Sequence, residues 1–211
     1  MCVASGSAAH AAGGHFDVDD AAVIEPGHCQ YQAWSARTSS APATTLWHLG
    51  PGCRVGPLEL ALNLDRISSA TDLLSTAGPQ LKWVTGIAAP VAAGVVWSVA
   101  FDLRRGGRPA HTLYAPLTWV VGETLALNGN FGADWDAAGA RTHRLGASGE
   151  WVAHERLTVI AERVRFGGEW TSRIGARFLL TDAMSVDLSV ARVGPHAARV
   201  YVIGLNHDFE C

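Results

Sequence analysis

Leu58-Glu59-Leu60-Ala61-Leu62-Asn63-Leu64-Asp65 is the stretch whose reading decides the fold. Successive side chains of an extended chain point to opposite faces. Four leucines therefore line one face, and Glu59, Ala61, Asn63 and Asp65 line the other. A soluble sandwich strand has the same period of two. Here the pattern recurs to the C-terminus in segments of about ten residues between turn signals, which is the sequence signature of a transmembrane β-barrel.

Working outward, Leu81, Trp83, Thr85 and Ile87 alternate with Lys82, Val84 and Gly86, and Trp97, Val99, Phe101 and Leu103 with Ser98, Ala100 and Asp102. Leu145, Ala147, Gly149 and Trp151 oppose Arg144, Gly146, Ser148 and Glu150. Trp170, Ser172, Ile174, Ala176 and Phe178 oppose Thr171, Arg173, Gly175 and Arg177, and Met184, Val186, Leu188 and Val190 oppose Ser185, Asp187 and Ser189. Gly50-Pro51-Gly52 reads as a breaker, 68–79 as a loop, 88–94 as a turn and Gly106-Gly107 as a hairpin. Pro116 deletes a ladder donor and is expected at a bulge or a strand end. The expected architecture is all-β: a single transmembrane antiparallel up-and-down β-barrel of about twelve strands, closed because lipid tolerates no open sheet edge.

Composition narrows the function. The 211 residues carry 17% charged residues and a net charge of −3, so there is no basic excess for nucleic acid. No run of 18 apolar residues exists. The most apolar stretch, 87–97, is broken by Pro90 and Gly94. Residues 1–14 are read as a leader remnant or a disordered N-terminus, and 15–211 as the barrel. Ala9-His10-Ala11 resembles a cleavage site without the apolar core of a signal peptide. His15, Asp17, Asp19 and Asp20 could suggest a cation site. They are read more simply as a solvated, turn-forming segment, and no metal site or cofactor is expected. Cys29 and Cys53, of the four cysteines Cys2, Cys29, Cys53 and Cys211, are expected to form a disulfide in an oxidising compartment, the alternative being two free thiols.

Periodicity does not say which face is inside. The polar face does. Lys82 is the chain's one lysine, and acidic groups are mixed with arginine and small residues. A packed polar lumen, where guanidinium forks pair with carboxylates, has that character. The lumen-lining candidates are Glu59, Asp65, Lys82, Glu150, Glu162, Arg173, Arg177 and Asp187. The apolar face then meets outer-membrane lipid. Trp83, Trp97, Trp119, Trp151, Trp170 and Tyr201 suit interfacial girdles. On this assignment Leu62→Arg is expected to be costly and Arg177→Ala milder.

Asp19-Asp20-Ala21, Glu25-Pro26-Gly27-His28-Cys29-Gln30 with Trp34, and His48-Leu49-Gly50-Pro51-Gly52-Cys53 resemble the N-terminal pattern of a group of proteobacterial outer-membrane barrels. These are similar to transporters of the "MetA-pathway of phenol degradation" type. The resemblance implies a barrel in the Gram-negative outer membrane and passage of a small molecule, and it supplies no catalytic residues. One departure is that Phe209 is followed by Glu210 and Cys211, where such barrels end in an aromatic residue.

No GxSxG, HExxH, P-loop or dinucleotide motif is present. His143, Ser148 and Glu150 are the best set for a lipid hydrolase, with His154 and His207 further candidates, but such sets are defined by geometry. The expectation is a non-enzymatic barrel that passes or binds a small solute, a hydrophobic or aromatic one included. The alternatives are an outer-membrane lipid-modifying enzyme and a soluble β-barrel carrier with an apolar interior.

Overall fold

A computed structural model describes residues 14–166, 168–194 and 198–211. Twelve strands follow one another: β1 (His28–Thr38), β2 (Thr45–Val55), β3 (Leu58–Ser68), β4 (Leu73–Ala88), β5 (Val91–Asp102), β6 (Ala110–Val121), β7 (Leu125–Trp135), β8 (Arg141–His154), β9 (Leu157–Phe166), β10 (Glu169–Leu179), β11 (Met184–Val193) and β12 (Ala198–Glu210). Each pairs antiparallel with its sequence neighbours, and β1 pairs with β12 from His28↔Glu210 to Thr38↔Val200. The sheet is a closed up-and-down barrel.

The leucine-rich stretch is β3. Leu58, Leu60 and Leu62 are exposed on the outer surface, while Glu59 is buried inside. The same holds around the wall. Leu113, Leu117, Leu127, Phe131, Leu145, Ile174, Leu188 and Ile203 are exposed, whereas Lys82, Asn128, Asn130, Glu150, Glu162 and Asp187 are buried. Exposed Trp83, Trp119, Trp151 and Phe209 lie toward one end, and Trp47, Phe101, Trp170 and Tyr201 toward the other. An apolar exterior between two aromatic girdles is the surface of a membrane barrel. It excludes a soluble carrier with an apolar interior.

Three breakers turn out to lie inside strands. Pro51, Pro79 and Pro116 fall within β2, β4 and β6. Pro51 keeps its pairing with Tyr31, but the β2–β3 ladder lapses between Leu49↔Leu64 and Gly52↔Ala61. Pro79 keeps Leu62, and the β4–β5 ladder lapses between Ala77↔Phe101 and Gln80↔Ser98. Pro116 keeps Asn130, and the β5–β6 ladder lapses between Ala93↔Leu117 and Val96↔Tyr114. A proline lacks one N–H, which would have faced one neighbour, so one ladder is interrupted and the other survives. The loop expected over 68–79 shrinks accordingly to 69–72, and the turn over 88–94 to 89–90.

The two ends differ. At the end holding the start of β1 and the end of β12, the connections are 56–57, 89–90, 122–124, 155–156 and 180–183. At the other end, 39–44, 103–109 and 136–140 are longer. These are called the turn end and the loop end below.

Candidate functional site

The segment before β1, expected to be solvated, lies inside the barrel. His15, Phe16, Val18, Asp20, Ala21 and Ile24 are buried. The segment turns and bends along its course and forms no ladder, so most of its backbone donors are taken up by lumen side chains, as buried N–H groups require. Gly14 N–H donates to Gln32 Oε1 (2.8 Å), Asp17 and Val18 N–H to Glu162 (3.1 and 2.9 Å), and Asp19 N–H to Asn130 Oδ1 (2.8 Å). Ala21 N–H donates to Thr118 Oγ1 (2.7 Å) and Ile24 N–H to Glu59 Oε2 (3.1 Å). Asn130 Nδ2 donates back to the Asp19 carbonyl (2.7 Å), and Arg54 Nη1 to the Ile24 carbonyl (3.1 Å). These partners sit on β1, β9, β7, β6, β3 and β2, so residues 14–24 form a strap running around the inner wall.

The wall is recessed to receive it. A Cβ on Gly146 would come within 2.8 Å of Val18 Cγ2, one on Gly175 within 3.1 Å of Phe16 Cζ, and one on Gly204 within 3.2 Å of His15 Nδ1. Inward-facing Ile160 and Val164 are fully buried, and Phe16 and Ile160 form a small apolar core beneath the strap. The lumen is thus not uniformly polar. Its apolar patch matches the strap's own apolar residues.

Charge binds the strap more specifically. Lys82 Nζ reaches Asp19 Oδ1 (2.8 Å) and Asp20 Oδ1 (2.9 Å), and Tyr114 Oη donates to Asp19 Oδ2 (3.0 Å). Arg173 Nη2 meets Asp17 Oδ2 (2.5 Å), and its Nε lies 2.8 Å from Glu162 Oε1. All three strap aspartates therefore engage cations of the wall. The group read as a solvated acidic cluster is the strap's set of anchors.

The sequence-predicted lumen set divides into four. Glu59, Lys82, Glu162 and Arg173 hold the strap. Arg177 and Asp187 form a buried bidentate pair, with Nε–Oδ1 and Nη2–Oδ2 both 2.8 Å, and Asn206 Nδ2 adds a third bond to Asp187 (2.9 Å). Glu150 accepts from Asn128 Nδ2, which also donates to Ser148 Oγ (3.2 Å), while Thr118 Oγ1 donates to Asn128 Oδ1 (2.7 Å). Asp65 stands apart, half-buried against His48 Nδ1 (2.7 Å), and His48 stacks on Trp34. Sequence reasoning missed Asn130, Thr118, Gln32 and Tyr114, which are uncharged and have no spacing that marks them.

The hydrolase set is not assembled. Ser148 and Glu150 are buried in the lumen, but His143 is exposed at an outward position of the same strand. A different serine meets a histidine. His15 Nε2 is 2.7 Å from Ser189 Oγ, and His15 Nδ1 is 3.8 Å from Asp187 Oδ2. The second distance exceeds a hydrogen bond, and Asp187 is already held by Arg177.

Cys29 lies opposite Cys53 in the β1–β2 ladder, with Cα atoms 4.0 Å apart, and its Cα is 5.9 Å from that of Cys211. The three sulfurs lie within 4.8 Å of one another, and Cys29 is within bonding reach of both partners. One sulfur joins one partner, so a disulfide at Cys29 leaves a third cysteine beside it. Cys2 lies outside the described residues, as does most of the expected 1–14 leader.

The chain belongs to the family described as "Uncharacterised conserved protein UCP029691", whose profile matches residues 1–206. No curated protein matches it in sequence. Among solved structures it resembles the KdgM porin in complex with disordered oligogalacturonate, with a TM-score of 0.68 at 10% identity over 87% of this chain and 99% of that one. It also resembles the COG4313 outer membrane channel from Pseudomonas putida F1, with a TM-score of 0.62 at 15% identity over 92% and 100%. Outer membrane phospholipase A from Escherichia coli gives a TM-score of 0.55 at 11% identity over 85% and 89%. The shared property is the fold of outer-membrane β-barrels.

Proposed function

We propose that the protein is a channel of the Gram-negative outer membrane for a small molecule, and that its own N-terminal strap is the gate. The turn end is then periplasmic and the loop end extracellular, since bacterial barrels have short periplasmic turns. The observation that carries the reading is the way Asp17, Asp19 and Asp20 neutralise Arg173 and Lys82 inside the lumen. A strap that leaves this position frees Lys82 of both its aspartates and leaves Arg173 with Glu162 alone, and cations so uncovered suit an anionic or polar solute. KdgM, a barrel of the same fold, is described in complex with an anionic saccharide. The resemblance to phenol-pathway transporters suggests an aromatic solute instead. The charged lumen favours the polar one.

The test is current through planar bilayers. Full-length protein should give small, infrequent openings, and D17N/D19N/D20N should open more often and select anions. Identical traces from both proteins would overturn the gate.

A lipid-hydrolase reading has one observation in its favour, the Ser189–His15 contact. Ester hydrolysis by the purified barrel that disappears in Ser189→Ala would establish it. The absence of any such activity leaves His15 as a strap anchor.

A further inference from the structure

Charged residues of the strands are sorted by sign and by height. Arg163, Arg165, Arg192 and Arg199 occupy outward positions and are exposed. So are Arg37, Arg66 and Arg141 on β1, β3 and β8. All seven lie within a few residues of the loop end. Most strand carboxylates keep to inward positions: Glu59, Glu150, Glu162 and Asp187 are buried and Asp65 and Asp134 partly buried, while Glu169, Asp208 and Glu210, at strand ends, are exposed.

The four arginines of β9, β11 and β12 form a patch. Ser172 pairs with Arg163 on one side and Arg192 on the other, and Arg192 pairs with Arg199. One register row across four strands therefore reads Arg163, Ser172, Arg192, Arg199. Arg165 pairs with Trp170, and the Arg163 guanidinium lies 4.9 Å from the centre of the Trp170 ring. A groove of about 470 Å³ opens here, with Arg163, Trp170, Ser172 and Arg192 in its lining. Glu169, the first residue of β10, also lines it, so the groove itself sets two guanidinium groups against one carboxylate. Below the row the surface turns apolar at exposed Ile174, Leu188 and Ile203.

We propose that this face binds the phosphate groups of the phosphorylated glycolipid in the outer leaflet, lipopolysaccharide, with its acyl chains against the apolar surface below. The inference takes only the membrane orientation from the proposed function and is independent of the gate. A need for interfacial polarity alone would be met by Asp, Glu, Asn or Gln as well as by Arg, and at both ends. The outward charges are instead cationic and confined to one end. Guanidinium forks match phosphate oxygens bidentately. Strand spacing of about 4.8 Å makes the row some 14 Å long, enough to meet more than one phosphate.

The test is lipid retention by full-length barrel in detergent, read by native mass spectrometry and by Trp emission on titration. The probes are purified rough-type lipopolysaccharide, the same glycolipid stripped of phosphate, and sodium phosphate. The wild type should hold intact lipopolysaccharide about tenfold more tightly than the stripped form, and R163Q/R192Q/R199Q should lose about that factor. Arg104→Gln, in the 103–109 loop, should bind as wild type. Heat-dependent gel mobility checks that the triple variant is folded, and the single Arg192→Gln replaces it if it is not. Equal binding of intact and stripped glycolipid, or no loss in the folded variant, overturns the proposal. So does sodium phosphate binding as tightly as lipopolysaccharide, which would make the patch a soluble-anion site.

Discussion

Lys82→Met tests the strap most directly. The substitution keeps the length and apolar stem of the side chain and removes its charge. In the folded protein it strands Asp19 and Asp20, whose side chains are 18% and 7% exposed, with no other cation in an ion pair with them among the described residues. Removing one partner of a buried ion pair costs about 3–5 kcal/mol, because the other charge stays uncompensated. That cost falls on the strap and not on the wall. The wall is held by twelve ladders, whereas the strap can relieve its carboxylates by moving into water. About 3–5 kcal/mol corresponds to a shift of roughly a hundredfold to a few thousandfold toward the undocked strap. The assay is cleavage of the strap by an Asp-directed protease, followed by mass spectrometry of the folded barrel in detergent. Cleavage should accelerate by about that factor in Lys82→Met, provided strap opening is fast relative to cutting. The combination D19N/D20N/K82M should recover most of the protection, because removing both halves of a buried pair is often close to neutral. A Lys82→Met strap as protected as that of the wild type would refute the reasoning.

Leu62→Arg should lower stability in micelles or vesicles by about 2–4 kcal/mol, since Leu62 is exposed in mid-strand on the lipid face; an unchanged unfolding midpoint would mean that this face does not meet lipid. Arg177→Ala should cost about 3–5 kcal/mol, because fully buried Asp187 loses its bidentate partner. That reverses the milder effect expected from sequence, and a loss below about 1 kcal/mol would rule the pair out as a stabilising element. Non-reducing peptide mapping of exported protein should find Cys29 linked to Cys53 or to Cys211 in every molecule, with a third cysteine left free; unlinked Cys29 would exclude both bridges. The barrel should also need detergent and shift its gel mobility on boiling, and recovery as a detergent-free monomer would contradict a membrane exterior.

The wall was legible because its signal is repeated: period-two alternation from Leu58 onward reports both a strand and its two faces. Local composition misled where tertiary pairing overrode it. Gly50-Pro51-Gly52 reads as a breaker and 68–79 as a loop, yet Pro51 and Pro79 each interrupt one ladder and keep the other. The strap was not legible. Its eleven residues have no ladder and no period, and His15-Phe16-Asp17-Val18-Asp19-Asp20 looks solvated until Lys82 and Arg173 are placed opposite. Lumen residues such as Glu162 could be picked as polar-face members, but the backbone N–H groups that Glu162 accepts come from 144 and 145 residues away.

The strap's contacts also carry an order in time. Read from its C-terminal end backwards, the chain separation of each contact grows: 35 residues from Ile24 to Glu59, 97 from Ala21 to Thr118, 111 from Asp19 to Asn130, 144 from Val18 to Glu162, and 174 from His15 to Ser189. Lys82, reaching Asp19 and Asp20 across 63 and 62 residues, and Tyr114, reaching Asp19 across 95, are long side chains that depart from the series. Closing a longer loop costs more entropy, but only logarithmically more. Each added strand shortens the remaining free chain that the next contact must close. A barrel that grows from β2 toward β12 can therefore lay the strap down one residue or two at a time, like a lining sewn in as the garment is cut. Nothing has to be threaded into a finished cylinder. The contact from Gly14 back to Gln32 on β1 becomes available as the circuit comes round to the β1–β12 seam.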